Sequence, residues 1–296
     1  MVKPSVLIFA ADHGIAKHPI SIAPREVTTQ MVANFLAGGA AINCFCNSLQ
    51  IDLKIIDAGM LADLDHANLI KQKIAPSTHD FSEQAAMNKE QLEQAINLGA
   101  KVAEQQIKAG TNLLGFGEMG IGNSTTAAAL LSVLTDLPAF ETAGKGTGIS
   151  DQQMDIKIAL IDSAIKRVQA KYGQGPLSAE LALLEVGGFE IAQLVGAMLA
   201  TARAGKSIIV DGFTVSVAAL LAIRIASNAQ QFMLFAHCSA EQAHSMLLQK
   251  LNAKPLLNLG LRLGEGTGAA LATPLIKAAA EFYNNMATLE NAEISL

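Results

Sequence analysis

The run Leu263-Gly264-Glu265-Gly266-Thr267-Gly268 carries the sharpest chemical signal in the chain. Glycines on both sides let the backbone approach a ligand closely. The carboxylate between them has little side-chain company, so a bound substrate would strip it of water. Loss of water raises the proton affinity of a carboxylate and makes it a stronger general base. A helix starting near Thr267 would offer free N–H groups to an anion. The competing reading is a tight turn with an exposed Glu; Arg262 and three glycines so close argue against it.

A second carboxylate, Glu118, sits in Gly115-Phe-Gly117-Glu118-Met119-Gly120-Ile-Gly122-Asn123-Ser-Thr-Thr. The glycine spacing matches the dinucleotide fingerprint, and Asp136 lies roughly 20 residues on, where a ribose-binding acid is expected. Two features oppose that reading. Asp136 follows a continuous helix, Ser124–Thr135, and Glu118 would face a pyrophosphate. The segment reads instead as a Gly-rich loop opening a helix, able to bind one phosphate or a ribose. Gly144-Lys145-Gly146-Thr147-Gly148 is a second Gly-rich loop. Gly follows its lysine, so it is no P-loop, yet it can form a backbone nest for a phosphate. Lys157, early in the next helix, could project back toward that anion. His13 and His237 follow strands and could serve as bases or ligands, but no H-x-x-H, H-E-x-x-H or Cys/His cluster supports zinc. There is no Gly-x-Ser-x-Gly elbow either.

These residues need elements to position them. Six short runs read as buried parallel strands: Val6–Ala11, Asp52–Asp57, Asn112–Phe116, Ser207–Asp211, Gln231–Ala236 and Pro255–Leu259. Most are apolar on both faces, as a covered parallel sheet requires. Helical segments lie at Thr28–Asn47, Asn88–Ala109, Ser124–Thr135, Gln152–Tyr172, Ala179–Ala204, Ser239–Leu251 and Thr267–Asn285. The alternation predicts an α/β fold, a doubly wound, mostly parallel six-stranded Rossmann-like sheet with helices on both faces. Residues 1–266 form its core and residues 267–296 a C-terminal helical segment. In such sheets ligands bind outside the carboxyl ends of the strands. Here those ends carry Asp12-His13, Asp57, Glu118, Asp211-Gly212, His237-Cys-Ser239 and Glu265. One Asp-Gly after a strand is a turn; six such ends predict an active-site rim.

The 296 residues suffice for one large α/β domain, or one domain plus a small one. A net charge of −5 without a basic cluster argues against a nucleic-acid partner. The apolar runs Val215–Ile223 and Ile191–Ala202 stop at Arg224 and Arg203, short of the ~20 residues that span a bilayer. They read as buried helices, with no membrane partner, and the N-terminus lacks a signal pattern. Cys44, Cys46 and Cys238 read as small core residues in a reducing compartment, which predicts a cytoplasmic protein.

Ten stretches recur together in one known family: FAADHGIA (Phe9–Ala16), SIAPREVTTQM (Ser21–Met31), FLAGGAAIN, DAG at Asp57, GEMGIGNST, GKGTGI, EVGGFEIAQLVGA, DGFTVSVAAL, HCSAEQAH and LRLGEGTGAALA. With them the chain resembles the nicotinate-nucleotide–dimethylbenzimidazole phosphoribosyltransferases of cobalamin nucleotide-loop assembly. The resemblance implies that Glu265 takes a proton from one benzimidazole nitrogen while the other attacks the ribose anomeric carbon. Nicotinate then leaves and the configuration inverts. It implies that Glu118 helps hold the ribose or nicotinate and stabilises positive charge at the anomeric centre. Lys157 would lie near the phosphate, and Gly120, Asn123, Gly146 and Gly148 would line the phosphate–ribose pocket. Ser21, Gln30 and Met119 would line the base pocket, Ser239 would sit near nicotinate, and Asp211 and Gly266 would complete the substrate-binding set. The implied partners are nicotinate mononucleotide and a benzimidazole-type base, with no metal or diffusible cofactor, in a homodimer.

The family carries a helical segment ahead of the first strand, in a small subdomain shared with the C-terminal helix. This sequence opens at the first strand, so a reduced small helical subdomain is expected. GNST stands for the usual GNTT, and Ala243 for a usual Gly. Ile74–Phe81 departs from a Gly-Thr-x-Asn pattern, and no role is carried onto it. Two other readings stand beside this one. One is a dinucleotide-dependent oxidoreductase, resting on GFGEMG. The other is a catalytically silent binding relative, against which Glu265, Glu118 and Lys157 argue.

Overall fold

A computed structural model describes residues 2–146 and 148–293. Its sheet has six strands: β1 (Pro4–Ala11), β2 (Asp52–Gly59), β3 (Leu69–Lys71), β4 (Leu113–Met119), β5 (Ser207–Val210) and β6 (Met233–Phe235). They run in the order β3-β2-β1-β4-β5-β6. Every neighbouring pair is parallel, so the sheet is wholly rather than mostly parallel. The winding direction reverses between β1 and β4, and the crevice outside their carboxyl ends is where such a sheet takes its ligand.

The helices are α1 (Val27–Ala37), α2 (Ala41–Leu49), α3 (Lys89–Lys108), α4 (Asn123–Thr135), α5 (Ala139–Thr142), α6 (Asp151–Tyr172), α7 (Ala179–Val186), α8 (Phe189–Arg203), α9 (Phe213–Ile225), α10 (Gln242–Lys250) and α11 (Thr267–Asn285). Side chains of β1 alternate between the two faces, as strand pleating dictates. Leu7, Phe9 and Ala11 join the core under α3, α4, α8 and α9. Val6, Ile8 and Ala10 join the core under α1, α2 and Ala270 of α11. Side-chain caps start the longer surface helices: Asn88 with Gln91 opens α3, and Ser150 with Gln153 opens α6.

Several expectations need correction. The predicted helix Thr28–Asn47 is two helices, parted at Gly38 with φ 81° and Gly39. Ala179–Ala204 is likewise two, parted at Gly187-Gly188. Within the 23 residues of 27–49, the most apolar 18-residue stretch has a mean hydropathy of 1.2. The break leaves helices of 11 and 9 residues, each shorter than the ~20 a bilayer needs. Leu69–Lys71 is an edge strand that its three residues were too few to announce. Pro255–Leu259 is no strand. Leu257 forms one parallel bridge to His237, and the amides of Leu256 and Leu257 bond the carbonyls of Phe235 and Ala236. Pro255 before it has no N–H to extend the pairing, and Gly260 at φ 65° after it turns the chain. Cys44 is exposed rather than in the core, and Cys46 is buried. In α11 the first turns, Thr267–Ala270, are buried against the sheet, whereas Leu275, Phe282 and Tyr283 lie exposed.

Candidate active site

A cavity of about 320 Å³ opens at the carboxyl edge of the sheet, beside the reversal point. The loops after β1, β4, β5 and β6 wall it, together with Leu261–Glu265. Of the residues singled out from sequence, it gathers Glu265, Glu118, Lys157, Ser21, Met119, Gly120, Asn123, Gly146 and Ser239.

Glu265 sits in a turn of three consecutive left-handed residues, Gly264 at φ 77°, Glu265 at 63° and Gly266 at 76°. A non-glycine residue held there costs of order 1 kcal/mol, a strain that clusters at functional sites. Asp211, just past the end of β5, fixes the turn from behind. Its two oxygens accept from the Gly266 N–H at 3.1 Å and the Ala269 N–H at 2.9 Å. Asp211 thereby caps α11 and lies outside the cavity lining, as does Gly266. Glu265 is only 8% exposed. Burial, seconded by the Asp211 charge, pushes its carboxyl up to about 7.

Glu118 lies near the end of β4, opposite Phe9 of β1. Its Oε2 accepts from the Asn123 side-chain N–H, while Asn123 Oδ1 accepts from the Ser124 N–H at 2.6 Å. Burial is the main cause that raises Glu118 to about 8, followed by the charge of Glu190; Asp211 and Glu265 add to it and the Asn123 bond opposes it. Gly117 makes the approach of the two acidic loops possible: a methyl group there would lie 2.5 Å from the Gly266 nitrogen.

Lys157 is 1% exposed, although a helix lysine ordinarily lies in solvent. Its Nζ donates to the Gly144 carbonyl at 2.8 Å and to Ser124 Oγ at 3.1 Å. That ties the two Gly-rich loops together and leaves one N–H for an anion in the cavity. Burial lowers Lys157 to about 8, against the pull of the Glu241 carboxylate. The N-terminus of α4 opens beside it, with Gly122 at φ 100° as the cap. Helix N-termini and an ammonium together suit a phosphate.

At the other end, Ser239, His237 and Thr214 line the cavity. Ser239 is held by His244, a residue that carried no signal in the sequence. The Ser239 N–H donates to His244 Nδ1 at 3.0 Å, and Ser239 Oγ lies 2.8 Å from the same nitrogen. His244 Nε2 therefore carries the ring proton toward Ser216 Oγ at 2.9 Å. Burial, with the neighbouring His237, lowers His244 to about 3, so it stays neutral.

Besides Asp211 and Gly266, two further expected residues lie outside the lining. Gln30 is exposed on α1; the face that meets the cavity carries Val27 and Met31, one helical turn apart. Gly148 is exposed at φ 118° and outside the lining, and Thr147 lies outside the described residues. The dinucleotide fingerprint dissolves in three dimensions. Gly115 and Gly117 lie inside β4 rather than in a loop, and Asp136 is the C-cap of α4. Among the described residues, no group of three His, Cys, Asp or Glu side chains is placed to hold a metal ion.

A family model described as phosphoribosyltransferase, DBI_PRT, matches residues 1–294. The chain is 52% identical to the nicotinate-nucleotide–dimethylbenzimidazole phosphoribosyltransferase of Vibrio parahaemolyticus, across 99% of this chain and 85% of that one. It is 52% identical, with the same coverage, to the protein of that name from Photobacterium profundum. The crystal structure of CobT from Thermus thermophilus superposes with a TM-score of 0.94 at 38% identity, over 100% of this chain and 87% of that chain.

Proposed function

The chain belongs to the DBI_PRT family of phosphoribosyltransferases, and on that footing we propose that it transfers the ribose phosphate of nicotinate mononucleotide to dimethylbenzimidazole. The observation that carries this reading is the meeting of Glu265, Glu118 and Lys157 in one cavity. Nicotinate is a good leaving group from its pyridinium, so the protein needs to align a neutral aromatic base and remove one proton. A benzimidazole nitrogen forms a bond to the anomeric carbon as the bond to the nicotinate ring nitrogen breaks. That bond's electron pair neutralises the pyridinium, and the proton on the other benzimidazole nitrogen passes to Glu265. Attack from the face opposite nicotinate inverts the configuration.

Lys157 and the start of α4 hold the phosphate in this reading. Ile20, Ser21, Met31 and Met119 provide an apolar slot for the acceptor base. Ser239 lies near nicotinate. Glu118 carries a proton in the empty site near neutral pH. The entering pyridinium favours its ionised form, and the resulting carboxylate faces the positive charge that develops at the anomeric carbon. The product belongs to the assembly of the cobalamin nucleotide loop. We further propose a cytoplasmic homodimer, for which the exposed apolar face of α11 is a suitable surface. Residues 267–296 then represent this chain's share of a small helical subdomain.

The test is incubation with nicotinate mononucleotide and a panel of bases, with nicotinate release as the readout. Release is expected with dimethylbenzimidazole and no redox change. Absence of release with every base would remove the reading.

A further inference from the structure

Beneath the Glu118 turn lies a buried pair that the transfer chemistry leaves unused. His13 Nε2 meets Glu190 Oε1 at 2.8 Å, and both side chains are 0% exposed. The other ring nitrogen, Nδ1, lies 2.9 Å from Thr126 Oγ1 on α4. Neither His13 nor Glu190 lines the cavity. Glycines leave just enough room for them. A methyl group on Gly120 would come within 3.2 Å of His13 Nε2, and one on Gly188 within 2.6 Å of Glu190 Oε2. Gly120 belongs to the same turn that runs from Glu118 to Asn123. The pair is therefore the support on which that turn rests. Neither oxygen of Glu190 nor His13 Nε2 has a hydrogen-bond partner among the described residues, so the two side chains meet at 2.8 Å without hydrogen-bond geometry. A buried imidazole–carboxylate contact with unsatisfied polar atoms is a poor device for stability, since apolar residues of the same shape would serve as well or better.

We propose that His13 and Glu190 form a positioning pair for the transfer reaction, fixing the Glu118 turn from below and setting the surroundings that Glu118 meets before the nucleotide arrives. The inference rests on the role given to Glu118 above. Four elements face Glu118 with charged or polar groups: Glu190 on α8, Asp211 just past β5, Glu265 before α11 and Asn123 on α4. Lys157 of α6 lines the same cavity. Among the charges, that of Glu190 weighs most on Glu118. Burial, seconded by Glu190 where His13 holds it, keeps Glu118 neutral until the pyridinium cation of the nucleotide enters. Its negative charge then arises only where a positive charge needs it.

The experiment measures nicotinate mononucleotide affinity by calorimetry across pH, with thermal melting as a check on folding. In the wild type, affinity rises with pH through the Glu118 titration, and Glu118→Gln removes that step while those of Glu265 and Lys157 remain. Glu190→Gln keeps the shape and removes the charge, and is expected to move the midpoint down by about one pH unit. Glu190→Asp keeps the charge and restores it. Should the single variant fail to fold around an unpaired His13, the double variant His13→Gln/Glu190→Gln supplies an amide pair, and its midpoint also moves down. A midpoint unchanged in the folded variants, with only the melting temperature lowered, overturns the inference. No nucleotide binding in the wild type would instead defeat the proposed function, and a pH profile identical in wild type and Glu118→Gln would defeat the role of Glu118.

Discussion

Glu265 and Lys157 make opposite demands on pH. The general base must be ionised, and its carboxyl titrates at about 7. The phosphate-holding ammonium must keep its proton, and it titrates at about 8. The profile of kcat/KM is therefore expected to climb as pH rises through about 7 and to fall above about 8, with the Glu118 proton steepening the acid side. Glu265→Gln should lower kcat by about 10²–10⁴-fold and flatten the limb near 7, read from nicotinate release across pH. The same residue affects stability. Its folded-state proton affinity exceeds the unfolded value of 4.5, so the stabilisation it gives is complete below that value and lost as pH rises through about 7. Melting curves should show Glu265→Gln more stable than wild type at pH ~8.5, with the difference vanishing at about pH 4. Glu265 was legible because its glycine neighbours are local in sequence. Lys157 was not legible as a buried residue, since the Gly144 carbonyl and Ser124 hydroxyl that receive it lie 13 and 33 positions away. His244 and Glu190 gave no sequence signal for the same reason.

The elements matter through how closely they approach. β4 can pass beneath the Glu265 turn only because Gly117 has no side chain. Gly117→Ala would place its methyl 2.5 Å from the Gly266 nitrogen and 2.7 Å from the Glu265 carbonyl carbon. The backbone there must shift, at about 1–3 kcal/mol. The expected outcome is a kcat loss of about 10²-fold, because an ångström of misplacement is enough, with a smaller change in KM for the nucleotide. Ser150→Ala is the contrasting case. It removes the cap of α6 and costs about 1 kcal/mol in a denaturation curve while leaving kcat near wild type. Strands with long apolar runs, such as Pro4–Ala11, were legible from composition. The edge strand Leu69–Lys71 was not, because it pairs with β2 by register rather than by pattern. Pro255–Leu259 misled because an apolar run says nothing about a partner edge, and this one finds a single bridge, Leu257 to His237. Gln30 misled because one helical position moves a side chain about 100° around the axis.

At the scale of the whole molecule, the ligand ties together loops from both halves of the sheet. Nicotinate mononucleotide at ~100 times its Kd should therefore raise unfolding stability by about 2.7 kcal/mol, visible as a melting shift. The exposed apolar residues of α11, Phe282 at 61% and Tyr283 at 86%, give the proposed dimer its test. Phe282→Glu with Tyr283→Glu should yield a monomer by light scattering, and an unchanged mass would place the contact elsewhere. The doubly wound class was readable from the βα alternation, whereas no pattern in the chain reports its strand order or its solution mass.

The division of the cavity wall has one further consequence. Its acidic floor is set by backbone and glycine, at Gly117, Gly264 and Gly266, where substitution disturbs proton handling. Its rim is apolar side chain, at Ile22, Val27, Met31 and Leu263. Acceptor choice can thus drift or be bred without retuning the chemistry. A library varied at those four rim positions should broaden the range of heterocycles accepted, while every active member keeps the parental pH profile.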